Sequence, residues 1–266
     1  MKKYLKTPRV LRRATLLAML PVFFLAGCGQ KTECEKSIDT AMGTVISQTV
    51  YVTGNSATTT NSEINEKITD VLLQKLNDLE QKELSWRLES AEVARINAAA
   101  GEGQTSVSPA MSEWLGRCRQ ISEESAGAFD VSIGRLSRLW DIDTWAAAGD
   151  SGDYELPRQE EIAEALATTG WQKIQLEQQA DGDSVSIPAE MQLDLGAVGK
   201  GVALDEILKT LEAHPEVSGA VISVGGSILT YGSKPDGSSW NVAVTDPRAE
   251  NDDDYLGVVA LNGTEF

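Results

Sequence analysis

Asp194 and Lys200 lie six residues apart in Leu193-Asp194-Leu195-Gly196-Ala197-Val198-Gly199-Lys200-Gly201, a short apolar run that ends in glycines. A second such run follows at Val224-Gly225-Gly226. A carboxylate and an ammonium embedded in apolar sequence describe a polar site built into a core. Glycines there remove Cβ atoms, so the main chain can approach a ligand and turn through positive φ. Leu204, Ile207, Leu208 and Leu211 then recur at helical spacing, which predicts a helix N-terminus near Gly199 to Val202. Free N–H groups beside Lys200 would favour a phosphate. The Walker pattern is excluded, because Gly196 and Gly199 enclose two residues rather than four and Gly201, not Ser or Thr, follows Lys200. On these residues alone, a glycine turn with a solvated lysine stays equally open.

Other side chains with chemical potential sit on loops. Trp86, in Leu84-Ser85-Trp86-Arg87, could stack on a flat ring or simply supply packing area. Asp130, in Gly127-Ala128-Phe129-Asp130, could hold a polar ring edge or cap the next turn. The single histidine, His214, precedes Pro215 and reads as a helix-end residue, which leaves no basis for a His-rich zinc site or a Ser-His-Asp triad. Of three cysteines, Cys118 falls on the apolar side of an expected helix. A Cys34 to Cys118 disulfide is permitted, but a buried, unpaired Cys118 is preferred.

The elements that must position these residues follow from periodicity. Met42 to Thr53 reads as a strand. Thr60 and Glu63 form a capping box for a helix through Ile64, Ile68, Leu72, Leu76 and Leu79 that serves mainly as scaffold. A short helix spans Ser90 to Asn97. Ser108 and Pro109 open another, through Met111, Leu115, Cys118 and Ile121, that Gly127 stops. An acidic loop covers 141 to 155, and Pro157 opens a helix that ends at Gly170. Trp171 to Glu177 and Ser184 to Ile187 read as a hairpin about Asp181-Gly182, and Leu193 to Leu195 as a strand entering the glycine stretch. Ala220 to Val224, Ser227 to Tyr231, Trp240 to Thr245 and Leu256 to Leu261 read as further strands. Helices early and hairpins late predict a single α+β domain with helices packed on a mixed, largely antiparallel sheet.

At the N-terminus, six Lys and Arg precede an apolar stretch, Ala14 to Phe24, closed by Leu25-Ala26-Gly27-Cys28. The run is shorter than the roughly 20 apolar residues of a spanning helix. The expectation is a lipoprotein signal over 1–27, lipidation of Cys28, and a polar tether over 28–40 that anchors the chain to a membrane. The whole chain carries a net charge of −17, and losing the signal would make it more acidic still. Such a surface excludes nucleic acid as a partner and confines any phosphate site to local devices.

Taken together and in order, Met42-Gly43-Thr44, Leu84 to Arg87 with Asn97, Gly127 to Asp130 through Leu139-Trp140, Leu193 to Gly201, Val224-Gly225-Gly226, and Trp240 with Asp246-Pro247 resemble the ApbE family of FAD:protein FMN transferases. The resemblance, over about 38 to 248, implies a T-fold-related domain over 41–266 that binds FAD. With Mg2+, it would move FMN onto a threonine of a protein acceptor, releasing AMP. It implies that Met42, Trp86, Ala128, Phe129, Asp130, Asp194 and Lys200 contact FAD and that the backbone carbonyl of Ala197 ligates the metal. It also implies a lipid-anchored protein on the periplasmic side of a bacterial inner membrane, with flavin-carrying subunits of redox pumps as acceptors. The family pattern continues past Phe266 with catalytic and metal-ligating residues, so the domain is expected to be truncated and this chain alone weakly active or inactive. The alternatives are a Mg2+-dependent FAD pyrophosphatase, producing FMN and AMP, and a non-catalytic flavin-binding lipoprotein.

Overall fold

In the computed structural model, which describes residues 32–53, 60–149, 154–180, 182–248 and 254–266, the central element is strand β2, Thr44–Thr53. Its alternation buries Ile46, Val50 and Val52 on one face. Strand β1, Thr32–Ala41, pairs antiparallel with it along its whole length. The expected tether over 28–40 is therefore corrected from residue 32 onward. A polar, charged sequence with Ile38 exposed can still be an edge strand, because pairing uses the backbone. Met42 and Gly43, expected in strand, instead form the two-residue turn between β1 and β2, at φ +53° and +67°.

Helix α1, Asn61–Asp78, starts at the Thr60–Glu63 capping box and runs on as a π-helical turn, Leu79–Leu84. Helix α2 is Glu92–Ala98, strand β3 Thr105–Val107, and helix α3 Pro109–Glu124. Strand β3 was missed by the periodicity because three residues are too few to show alternation. Helix α4 is Gly134–Trp140, and α5, Ile142–Ala148, occupies part of the expected acidic loop. Helix α6 is Gln159–Ala167. Trp171–Lys173 is a 3₁₀ turn rather than strand, and β4, Gln175–Gln179, follows it and pairs with β5, Gly182–Ser186.

Helix α7, Gly196–Glu212, begins a turn earlier than the apolar spacing implied, and Leu193 to Leu195 is not a strand. Gly196, Gly199 and Gly201 lie inside it with ordinary helical φ, so their expected role in a positive-φ turn is corrected. Strands β6, Val217–Val224, β7, Ser227–Gly232, β8, Trp240–Thr245, and β9, Tyr255–Leu261, complete the chain.

Three antiparallel sheets result among the described residues: β1-β2-β6-β7, β3-β5-β4 and β8-β9. Helices α1 and α7 cover the four-stranded sheet, and α3 covers the three-stranded one. Ile68, Leu72 and Leu76 of α1, Ile207 and Leu211 of α7, and Ala220, Ile222 and Val224 of β6 belong to one continuous core with Met111 and Leu115 of α3. The α+β, single-domain expectation holds. Cys118 is buried and unpaired, and Cys34 is exposed and unpaired. No helix among the described residues is long and apolar enough to cross a membrane.

Candidate active site

Two tight turns meet at one end of the four-stranded sheet. The register Ile46↔Val224 sets the β6–β7 turn, Gly225-Gly226, beside the Met42-Gly43 turn, and Gly225 N–H donates to Val45 O at 3.0 Å. Gly225 sits at φ +55°, where a Cβ would collide with Thr44 Oγ1 and fall 2.8 Å from Lys200 Nζ. That close approach requires glycine. Lys200, in the first turns of α7, donates through Nζ to Gly225 O at 3.3 Å. The helix thereby brings its cation to the junction of both hairpins.

The strand-like entry to α7 is held by a buried amide rather than a sheet. Asn97 Nδ2 donates to Leu193 O at 2.9 Å and Leu193 N–H donates to Asn97 Oδ1 at 2.6 Å. Asp194 N–H donates to Val131 O at 2.8 Å. Asp194 Oδ1 accepts from Gly196 N–H at 2.8 Å, satisfying one of the free donors of the helix start. Across from it, Ser85 Oγ accepts from the N–H groups of Arg87 and Leu88, a local turn that presents Trp86. The Arg87 guanidinium lies 4.0 Å from the Trp86 ring centroid and that of Arg138 lies 4.9 Å from it.

These pieces enclose a cavity of about 370 Å³ whose walls include Met42, Glu80, Trp86, Arg87, Asp194 and Lys200. The volume is within the range of small-ligand pockets. Four expected FAD contacts, Met42, Trp86, Asp194 and Lys200, thus share one space although they span 159 positions of sequence. Ala128, Phe129 and Asp130 are not part of its lining. Ala128 is exposed, and Phe129 packs partly against the core. Asp130 Oδ1 accepts from Ser132 N–H and Oγ, and Oδ2 accepts from Trp171 N–H at 3.1 Å. Its carboxylate ties the segment after α3 to the turn before β4.

Sequence reasoning missed Glu80, whose Oε2 accepts from Met42 N–H at 2.8 Å and fixes the first hairpin turn. Nothing in a scaffold helix marks that position; only the π-helical turn swings Glu80 to the cavity. Ile142 and Ser137 also line it, brought there by α5 and α4.

Mg2+ usually keeps several waters and takes one or two protein carboxylates together with substrate phosphates. No group of three or more His, Cys, Asp or Glu gathers as a metal site among the described residues. Glu80 and Asp194 line the cavity, each accepting a backbone N–H through one carboxylate oxygen, and Ala197 lies in the first turn of α7. What the cavity does offer is an aromatic wall, one ammonium, and a carboxylate whose Oδ2 has no hydrogen-bond partner among the described residues. That combination can stack a flat ring, hold a hydroxyl or ring N–H, and neutralise a phosphate.

The model of the ApbE family matches residues 42–265. A FAD:protein FMN transferase of Treponema pallidum is 32% identical over 64% of this chain and 49% of its own length. One of Escherichia coli K12 is 27% identical over 94% of this chain and 69% of its own. The chain therefore spans about half the length of the first relative. The crystal structure of an ApbE protein from Thermotoga maritima superposes with a TM-score of 0.70 at 25% identity, covering 87% of this chain and 68% of that one. The apo flavinyl transferase ApbE of Pseudomonas stutzeri gives 0.69 at 25% identity, over 87% and 66%. With the family model matching residues 42–265 and the fold superposing on ApbE structures, the chain belongs to the ApbE family.

Proposed function

We propose that the protein is an FAD:protein FMN transferase, taking FAD and the threonine hydroxyl of an acceptor protein as substrates. The observation that carries the reading is the convergence of Met42, Trp86, Asp194 and Lys200 on one cavity in a chain of the ApbE family. In the reaction, the threonine oxygen forms a bond to the phosphorus of the FMN half and the bridging P–O bond to AMP breaks. The hydroxyl proton passes to water. Trp86 would stack a ring, Asp194 Oδ2 would accept a hydrogen bond from it or from a sugar hydroxyl, and Lys200 would offset charge on the transferring phosphate. Mg2+, expected from the family resemblance, would take protein oxygens from Glu80 or Asp194 and the rest of its ligands from water and the FAD phosphates, and no step is assigned to it.

The same reading sets the protein at the bacterial inner membrane, on the periplasmic side, held by lipid on Cys28, which lies outside the described residues. Its acceptors would be flavin-carrying subunits of membrane redox pumps. Metabolic labelling with palmitate, lost in Cys28→Ser, tests the anchor. The activity is tested by incubating the protein with FAD, Mg2+ and a threonine-bearing acceptor domain and measuring the acceptor's mass. A gain of one FMN phosphoryl group supports transfer. Free FMN and AMP with an unmodified acceptor would make the enzyme a hydrolase, and intact FAD from a protein of its relatives' full length would make it a binding protein.

A further inference from the structure

One wall of the cavity belongs to an element that buries almost nothing. Helix α5, Ile142–Ala148, has no buried residue, yet Ile142 lines the cavity. Ile142 and Trp145, neighbours on one face at three-residue spacing, stand 56% and 53% exposed. A helix this short gains little from its own hydrogen bonds, so its placement rests on a few outside contacts. One of these ties it to another wall. Asp143 Oδ2 accepts from Arg87 Nη2 at 2.5 Å, and the same guanidinium lies 4.0 Å from the Trp86 ring centroid. Arg87 and Trp86 both line the cavity, and the paired side chains are largely in water, so the ion pair sits at the rim.

Helix α4, by contrast, is fixed at both ends. Buried Gly134 donates its N–H to Gln192 O at 2.8 Å, so close that a Cβ would collide with that carbonyl. Arg138 Nη2 donates to Trp86 O at 3.4 Å, and its guanidinium lies 4.9 Å from the Trp86 ring centroid. Between the fixed helix and the loose one stands Asp141, at φ 36° and ψ 60°, a left-handed conformation uncommon outside glycine. Residues at element ends absorb the backbone rotation of a moving lid. At the far end of α5, Gly149 at φ +53° has the same freedom.

We propose that α5 is a lid on the FAD cavity, pivoting at Asp141 and latched shut by Asp143 on the Arg87 guanidinium that Trp86 holds in place. The inference rests on the FAD reading of the cavity. A volume of about 370 Å³ is at the small end for drug-sized ligands, and FAD, a dinucleotide, is larger than these. Entry of the whole molecule calls for a wall to give way, and α5 is the wall with the least packing to lose. With FAD inside, Ile142 and Trp145 gain the apolar contact that they lack without it. Because the ion pair is exposed, it slows opening by a modest factor rather than preventing it.

The test follows FAD binding to the full chain by stopped-flow flavin fluorescence, together with amide exchange of α4 and α5 in the absence of ligand. Asp143→Ala removes the latch and leaves the cavity lining untouched. FAD association and dissociation should both quicken, about two- to fivefold each, with little net change in affinity. Asp143→Glu should keep the native rates. Raising salt from about 50 to about 500 mM screens the exposed pair, so it should speed dissociation from the native chain more than from Asp143→Ala. Without FAD, the amides of 142–148 should exchange faster in Asp143→Ala while those of 134–140 stay as they were. Unchanged rates in Asp143→Ala would overturn the proposal. So would faster dissociation with unaltered association, which would make Asp143 part of the binding surface, or exchange that quickens in α4 and α5 alike. Failure of the native chain to bind FAD would sink the FAD reading, and amide exchange alone would then decide whether the latch exists.

Discussion

Asn97 and Gly225 do the most for the site per atom. Asn97 substitutes for a neighbouring strand by pairing both backbone groups of Leu193, and it is only 7% exposed. Asn97→Ala would leave a buried N–H and a buried C=O without partners, costing roughly 2–4 kcal/mol. Urea unfolding should show the loss, and FAD affinity should fall because Asp194 is the next residue. Gly225→Ala adds a Cβ at φ +55° that collides with Thr44 Oγ1 and Cγ2 of strand β2. The left-handed backbone costs about 1–2 kcal/mol and the clash adds to it, so Tm should fall; an unchanged Tm would show that the two turns are not packed this closely. Both residues appear in recognisable motifs, but their partners, Leu193 and Lys200, could be named only after folding.

At the level of elements, helix α3 was readable from its Ser108–Pro109 start and its apolar stripe, including Cys118. Burial pushes the Cys118 thiol up to about 11. A thiol protonated in the fold but ionising near ~8.5 when unfolded lends stability that is complete below that value and is lost as pH rises toward the folded one. Stability should therefore decline between about pH 8.5 and 11 through this group, and Cys118→Ala should flatten that part of the profile. At neutral pH a thiol reagent should label Cys34 and spare Cys118, since of these two only Cys34 is exposed. Rapid labelling of Cys118 would contradict the packing of α3. The tether reading failed at this scale because β1 is an edge strand whose membership is decided by backbone pairing, which hydropathy does not report.

Across the whole molecule, order is uneven. Strands β2 and β6 are central in the four-stranded sheet and bury Ile46, Val50, Ile222 and Val224 completely. Among the described residues strands β8 and β9 pair only with each other, attached through buried Trp240, whose Nε1 donates to Gly232 O at 3.3 Å and whose ring meets Tyr51. Leu256 and Val258 of β9 stand 69% and 51% exposed. Hydrogen exchange should open β8–β9 well before β2–β6. Leu256→Lys with Val258→Lys should reduce self-association in ultracentrifugation with little change in Tm, because exposed apolar strands recruit copies of themselves. A large drop in Tm would mean that these side chains support the core.

By itself the sequence determined the α+β class, the Thr60–Glu63 capping box and helix stripes, and the motif order that identifies the family. These are local or ordered patterns, carried by periodicity and spacing along one chain. The tertiary structure decided which motif residues meet. It brought Met42, Trp86, Asp194 and Lys200 around one cavity and committed Asp130 to the backbone of Ser132 and Trp171. It also delivered Glu80 through a π-helical turn and set Arg87 and Arg138 against the Trp86 ring. Convergence of this kind depends on strand register and helix packing, interactions between residues far apart in the chain, and a one-residue shift in either would send the same side chains to other faces.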